Sequence, residues 1–165
     1  LFALPMLAIA IAIKCGSPGP VLYRQRRHGF NNRVFTVLKF RSMRHEPDAA
    51  LKQVEHNDPR VTKIGAYLRR TSLDELPQLL NVLRGEMSLV GPRPLAYDEM
   101  KFCPTWRDAR LSVSPGLTGL WQVKARNRNR FAEWIRYDLE YVRTHSLLLD
   151  LYILIRTARV LLKGV

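Results

Sequence analysis

Apolar and polar residues alternate along this chain in blocks whose period changes from segment to segment. Leu1 to Ile13 is an almost unbroken apolar run, interrupted only by Pro5. Gly16-Ser17-Pro18-Gly19-Pro20 admits no regular structure and predicts a turn. Val21 to Tyr23 reads as a short extended piece, and Gly29 to Asn32 as another turn. Val34-Phe35-Thr36-Val37-Leu38-Lys39-Phe40, rich in β-branched and aromatic residues, predicts a strand, so the two pieces form a hairpin carrying Arg24, Arg26, Arg27 and His28. His45 to His56 is polar and predicts a short surface helix or loop. Val61 to Arg70 shows helical spacing through Ile64, Tyr67 and Leu68. Leu73, Leu76, Leu79, Leu80 and Leu83 recur with the same spacing and predict one amphipathic helix. Leu95 to Arg110 reads as helical with an interruption at Pro104. Ser114 to Gly119 reads as loop, Leu120-Trp121-Gln122-Val123 as a short strand, and Phe131 to Val142 as an amphipathic helix. Leu147 to Leu162 closes the pattern with an apolar helix on which Arg156, Arg159 and Lys163 share a face.

Chemistry concentrates where the pattern turns from the Val61 to Arg70 helix into the next one. Thr71-Ser72-Leu73-Asp74-Glu75-Leu76-Pro77-Gln78 puts two adjacent carboxylates beside a proline tolerated only in a first helical turn. Asp74 and Glu75 therefore sit at or next to a helix N-terminus. Ser72-x-x-Glu75 fits a capping box, in which Glu75 serves only the backbone. A helix start also presents free N–H groups suited to a phosphate. Successive helical residues point about 100° apart, so the two carboxylates can hold two different tasks. Further on, Pro92-Arg93-Pro94 fixes an arginine between two rigid residues, the kind of support that bidentate phosphate recognition needs. The other reading of Arg93 is a buried arginine capping a helix end.

Charge sharpens this picture. The 165 residues carry 27 basic and 14 acidic side chains, a net +13, which calls for an anionic partner. The length suits one domain with a real core. Cys15 and Cys103 are far apart and form no metal or redox spacing, so they read as unpaired thiols in a reducing compartment. His45 and His56 read as exposed, with no second ligand at metal spacing, and Trp106 as a core or interfacial anchor. Lys124 to Arg130 is a dense basic loop. Thirteen apolar residues at the N-terminus cover about 20 Å as a helix, short of a hydrocarbon core of roughly 30 Å. That leaves a spanning helix cut short, a re-entrant or interfacial segment, or a buried core helix. The chain also opens in the middle of this run, which points to sequence upstream of Leu1.

Several ordered motifs together resemble the bacterial sugar transferase family, the monotopic phosphoglycosyl transferases that start glycan assembly on a polyprenol phosphate. They are Lys39-Phe40-Arg41-Ser42-Met43, Asn57-Asp58-Pro59-Arg60-Val61-Thr62, Thr71 to Gln78, Asn81 to Ser88, Val90-Gly91-Pro92-Arg93-Pro94, and Pro115 to Val123. The resemblance implies an α+β, helix-rich, membrane-associated monotopic fold with a re-entrant N-terminal helix broken at Pro5, short strands and in-plane amphipathic helices. Residues 1–20 would be the C-terminal part of the re-entrant segment with its turn, and 21–165 the catalytic domain on the cytoplasmic face of the bacterial inner membrane. It implies transfer of a sugar-1-phosphate from a UDP-sugar to undecaprenyl (polyprenol) phosphate with release of UMP, the first membrane step of exopolysaccharide, capsule, O-antigen or glycoconjugate assembly. Asp74 would be the nucleophile, through a covalent phosphosugar-aspartate intermediate, and Glu75 the ligand of Mg²⁺. Lys39, Arg41, Arg69, Arg93 and Arg126 would contact phosphate or nucleotide. Asp138 matches an acidic position that either binds substrate or pairs with an arginine. Partners are the two substrates, the inner-membrane leaflet and a possible second copy of the chain, with no nucleic acid.

Two readings of other classes compete. A nucleic-acid-binding module would explain the net charge and Lys124 to Arg130, but not the apolar N-terminus or Asp74-Glu75. A non-catalytic basic membrane scaffold would explain the apolar ends and make Asp74 dispensable.

Overall fold

The computed structural model describes residues 3–44, 58–96, 106–125 and 131–163. They are helix-rich α+β, with two two-stranded sheets. The chain divides into two compact units, one built from Leu1–Arg24 and Leu38–Pro77, the other from Gln25–Val37 and Gln78–Val165.

The first unit starts with α1 (Ala3–Gly16), which contains Pro5 within its first described turn, where a missing N–H removes no helical bond. At 1.5 Å per residue α1 is about 21 Å long. Among the described residues no helix is long and apolar enough to cross a membrane. One side of α1 packs: Ile13 is fully buried with Phe40 and Leu68, and Met6, Ile9 and Ala10 lie against them. The other side leaves Leu4, Leu7 and Ile11 more than half exposed. The strands β1 (Leu22–His28) and β2 (Val34–Phe40) pair as a hairpin whose base lies in this unit. The hairpin turn is a 3-10 turn over Phe30–Asn32, closed by the Gly29 N–H on Arg33 O.

Beyond β2, Met43 bridges Val61, and the Arg44 N–H donates to Arg60 O at 2.8 Å. The two ends of the intervening segment are thereby pinned together. Thr62 then caps α2 (Lys63–Thr71), its Oγ1 accepting the Gly65 N–H. Helix α2 lies so close to Ser42 that a Cβ on Gly65 would fall 1.8 Å from the Ser42 carbonyl oxygen. That contact needs glycine. Leu68, 1% exposed, is the residue α2 contributes to the core.

The helix expected to run from Leu73 to Leu83 is two pieces. Ser72 adopts the left-handed conformation (φ 57°) and ends α2, its N–H donating to Arg69 O and Leu68 O. A 3-10 turn over Leu73–Glu75 follows, and α3 (Gln78–Leu83) starts only after Pro77. The leucine spacing persists across the break because Leu73 and Leu76 still face the first core. The capping box does not form in its usual sense: the Ser72 N–H serves α2, and Glu75 Oε1 accepts from Lys39.

The second unit holds the hairpin tip and everything after Pro77. Strand β3 (Ser88–Val90) pairs in parallel with β4 (Gly116–Thr118), Ser88 opposite Gly116 and Val90 opposite Thr118. The stretch from Ser114 to Gly119, read as loop, thus contains a strand. Leu120 to Val123, read as a strand, belongs to the one-turn helix α5 (Leu120–Lys124). The first correction has a plain cause: β4 is short and glycine-containing, and only its partner 28 residues away in register makes it a strand. Three helices, α4 (Arg107–Leu111), α6 (Phe131–Thr144) and α7 (Leu147–Lys163), complete the unit. Val90, Leu120, Tyr141 and Ile153 form its core, flanked by Val123, Tyr137 and Leu149. Asn81, fully buried on α3, donates to Thr36 O at 2.8 Å and to Glu86 at 2.6 Å. Helix α7 turns Ile153 and Thr157 inward, the latter 2.7 Å from Thr118 Oγ1. Its other apolar face is open: Leu147 and Leu148 are at least 80% exposed, and Leu151, Tyr152 and Ile155 about half.

Candidate active site

In the first unit the residues around Asp74 form a small charged centre. Asp74 is half-buried on the 3-10 turn between α2 and α3. Burial raises its pKa above the ordinary 3.8, the neighbouring Glu75 charge raises it further, and Lys39 and Arg69 pull it back. Glu75 Oε1 is ion-paired with Lys39 Nζ at 2.7 Å, both side chains about four-fifths shielded. Lys39 reaches across from β2, 36 residues away, so the hairpin base fixes the position of the second carboxylate. Arg69, in the last turn of α2, donates from Nε to Ser42 Oγ at 2.8 Å and leaves its charge toward Asp74. Ser42 is thus a double fastener, its carbonyl against Gly65 and its hydroxyl on Arg69.

Arg41 lies deeper than a ligand-facing arginine. It is 5% exposed and donates to Ser17 O at 2.7 Å, Ser17 Oγ at 3.0 Å and the Pro18 carbonyl, closing the C-terminal end of α1. The residue expected as a substrate contact is engaged, in the fold, with the turn that follows α1. Arg70 is exposed, its guanidinium 5.9 Å from the Tyr67 ring. Of the five substrate and catalytic candidates in this part of the chain, Lys39, Arg69, Asp74 and Glu75 come together, and Arg41 braces from behind.

The second unit presents Arg93. The Pro92-Arg93-Pro94 segment is held by its carbonyls: Pro92 O accepts the Gly116 N–H at 2.9 Å, Arg93 O accepts Arg110 Nη2 at 2.8 Å, and Pro94 O accepts Arg27 Nη1 at 3.0 Å. The His28 N–H adds a fourth bond, to Leu95 O at 3.3 Å. A shallow cleft beside the segment is lined by His28, Arg93, Arg107 and Arg110. Arg110 also pairs with Asp138 Oδ2 and lies 5.4 Å from the Trp106 ring. Asp138 is 1% exposed, and its pKa is pushed up to about 6 by burial against the pull of Arg110 and Arg93. Of its two readings, pairing with an arginine is the one the structure displays. Trp106 is an anchor for that arginine rather than a base-stacking platform.

Arg126, most of the Lys124 to Arg130 loop, Cys103, His45, His56 and most of the Leu95 to Arg110 helix lie outside the described residues. Cys15 is an exposed free thiol. Among the described residues no three His, Cys, Asp or Glu side chains converge as a metal cage. Mg²⁺ does not require one: it commonly keeps its waters and binds one or two carboxylates plus substrate phosphates. The Asp74–Glu75 pair, whose mutual repulsion is part of what raises Asp74, fits that donor set. Ser42, Arg27 and Arg110 had no local signature, since each acts on a partner more than 15 residues away.

Comparison with known proteins adds to this geometry. The sequence model of the family described as "Bacterial sugar transferase" matches residues 1–164. The chain is 47% identical over 93% of its length to a UDP-glucose:undecaprenyl-phosphate glucose-1-phosphate transferase of Xanthomonas campestris pv. campestris, of which it covers 34%. It is 42% identical over 95% of its length to the exopolysaccharide production protein ExoY of Rhizobium meliloti (strain 1021), covering 76% of it. It is 43% identical over 88% of its length to the galactosyl transferase CpsE of Streptococcus agalactiae serotype III (strain NEM316), covering 35%. The chain therefore spans about a third of the length of two of these relatives and about three quarters of the third.

Proposed function

The chain belongs to the bacterial sugar transferase family, and from that premise we propose that it transfers a sugar-1-phosphate from a UDP-sugar to undecaprenyl phosphate and releases UMP. The observation that carries the reading is the half-buried Asp74 beside Glu75, with Lys39 and Arg69 as the adjacent cations. A carboxylate in that setting is desolvated enough to be reactive and has positive charge at hand for a phosphate.

In the reaction, an Asp74 carboxylate oxygen attacks the β-phosphorus of the UDP-sugar. The bond from that phosphorus to the bridging oxygen breaks, and UMP leaves with the electron pair. A phosphosugar remains on Asp74 as an acyl phosphate. An oxygen of undecaprenyl phosphate then attacks the same phosphorus, the bond to Asp74 breaks, and the free carboxylate returns with polyprenyl-diphospho-sugar as product. Lys39 keeps Glu75 oriented, and Arg69 offsets charge on the phosphoryl group. Arg93 and Arg126 are phosphate or nucleotide ligands in the proposal. Mg²⁺, held by Glu75, supplies neutralisation of the diphosphate charge when bound.

The exposed apolar faces of α1 and α7 and the net charge of +13 support a seat on an anionic membrane surface. We place the protein accordingly at the cytoplasmic leaflet of the inner membrane, with the N-terminal segment re-entrant. A non-catalytic scaffold is disfavoured, because it gives no role to a carboxylate kept half-buried beside another.

UMP release from a panel of UDP-sugars, including UDP-glucose and UDP-galactose, with undecaprenyl phosphate and Mg²⁺ tests the reading. The wild type should turn over one sugar, and Asp74→Asn should lose at least about 1,000-fold in kcat/KM. With acceptor withheld, one sugar-phosphate per chain should remain on the wild type and none on the variant. Activity surviving in Asp74→Asn would sink the covalent step. No turnover of any sugar would sink the transferase reading.

A further inference from the structure

Four consecutive carbonyls around Arg93 are each claimed by a donor from elsewhere in the second unit, and two of those donors are arginine side chains. Arg27, from the hairpin tip, takes Pro94 O at 3.0 Å. Arg110, from α4, takes Arg93 O at 2.8 Å. The remaining two acceptors, Pro92 O and Leu95 O, are met by the backbone N–H groups of Gly116 and His28. Prolines on both sides of Arg93 remove two N–H donors and fix φ, so the carbonyls are the principal handles by which the segment can be held.

The arginine on Arg93 O is itself held. Arg110 is 7% exposed, its Nη2 also pairs with Asp138 Oδ2, and the Trp106 ring lies 5.4 Å from its Cζ. A cation buried this way is costly unless its partners are well placed. A hydrophobic pair would fill the same space, and α4 and α6 could be packed without a charge. Two charges kept in the interior, with one nitrogen of the guanidinium aimed at the carbonyl of the half-buried Arg93, describe a bracket. Arg27 repeats the arrangement one residue on, from a different element, with Gln25 Oε1 at 2.7 Å orienting its other nitrogen.

We propose that Arg27 and Arg110 are positioning residues that hold the backbone of Pro92-Arg93-Pro94 so that the Arg93 guanidinium is presented in one direction to an anionic group of the substrate, with Asp138 keeping Arg110 in place. The proposal rests on the reading of Arg93 as a phosphate or nucleotide ligand given above. Neither arginine touches substrate. Both act through Arg93, so removing either should cost binding or turnover only while Arg93 is present. A misdirected ligand loses affinity by tenfold or more for small displacements.

The test is a mutant cycle on the full chain in its membrane or detergent preparation. Arg27→Met removes the first donor from a half-buried position and keeps the stem. Arg110→Met with Asp138→Leu removes the second together with its counter-charge, so that no buried charge is left alone. Each is measured alone and combined with Arg93→Ala. Each should lower kcat/KM for the UDP-sugar by about tenfold alone, and by less than twofold when Arg93 is already alanine. Losses that multiply with Arg93→Ala would overturn the proposal, and so would a wild-type kcat/KM in both variants. Should the paired substitution fail to fold, Arg110→Lys, which keeps a cation against Asp138 but loses the fork, is read in the same way.

Calorimetric titration with UDP reads the same cycle in Kd. A non-additive loss of UDP affinity supports the bracket even in a preparation without turnover, and an additive loss or none overturns it. Wild type that binds UDP but releases no UMP would overturn the transferase reading alone. Wild type that does not bind UDP would overturn both.

Discussion

Asp74 shows how far a single residue could be read before any fold was known. Its type, its place before Pro77 and its neighbour Glu75 marked it as a candidate, and the resemblance of the surrounding motif supplied the role of nucleophile. Its electrostatic setting was illegible, because Lys39 arrives from 36 residues away and burial depends on the whole unit. Arg41 illustrates the opposite case: a basic residue in a recognisable motif that the fold uses to hold Ser17 and Pro18, the turn after α1. Because burial and Glu75 raise the pKa of Asp74, activity and stability should respond to pH in opposite directions. Attack needs the ionised carboxylate, so the acidic limb of the rate profile should lie above the ordinary aspartate range. A raised carboxylate pKa also means that the folded chain binds the proton more tightly than the unfolded one. The destabilisation from ionising Asp74 is then absent below 3.8 and complete above the folded pKa. Asp74→Asn should therefore have a higher thermal midpoint than wild type at neutral pH, and the gap should close as pH falls toward 4. A constant gap across that range would contradict the assignment.

At the scale of elements, the apolar period located most helices and the hairpin, and failed at the Leu73 to Leu83 repeat, at β4 and at α5. The leucine repeat from Leu73 to Leu83 is continuous, yet the backbone breaks at Ser72 and restarts after Pro77. Only Leu73 and Leu76 pack against the first core, which a 3-10 turn achieves as well as an α-helix, while Leu80 and Leu83, expected on the same buried stripe, are exposed. The parallel pair β3–β4 was unreadable because each strand is three residues long and stable only against the other. The placement of α2 depends on a contact that the sequence marks only as one more glycine. Gly65→Ala would force α2 from Ser42, whose carbonyl lies 1.8 Å from the new Cβ. Overpacking of this sort costs about 1–3 kcal/mol. The variant should unfold at correspondingly lower denaturant and lose turnover, since Ser42 also holds Arg69. Wild-type stability in Gly65→Ala would remove α2 as the support of the site.

For the whole molecule, the exposed leucines of α7 and the excess of basic residues act together. An apolar face alone would favour aggregation, and a basic surface alone gives only weak, salt-sensitive binding to anionic lipid. Combined on one chain they support the membrane seat proposed above. Each exposed leucine buried in lipid contributes about 1.5–3 kcal/mol. Leu148→Asp with Leu151→Asp should cut partitioning onto vesicles containing anionic lipid by at least about tenfold, with the far-ultraviolet circular dichroism unchanged. Equal partitioning of variant and wild type would locate the seat elsewhere. That α7 would be apolar was legible from composition; that Ile153 faces inward while Leu148 and Leu151 face out was not, because a helix apolar on most sides does not declare which side is packed.

The bridge between Met43 and Val61, with the Arg44 N–H on Arg60 O, holds together the two ends between which residues 45–57 of the sequence run. Doubling the length of a flexible stretch between two fixed ends costs only about 0.6 kcal/mol in closure entropy. A Gly/Ser insertion of that size, or a peptide tag within it, should leave turnover within twofold of wild type, as measured by UMP release. With its two ends already joined, that stretch of sequence is where added length or an attached tag should leave the proposed transfer in register.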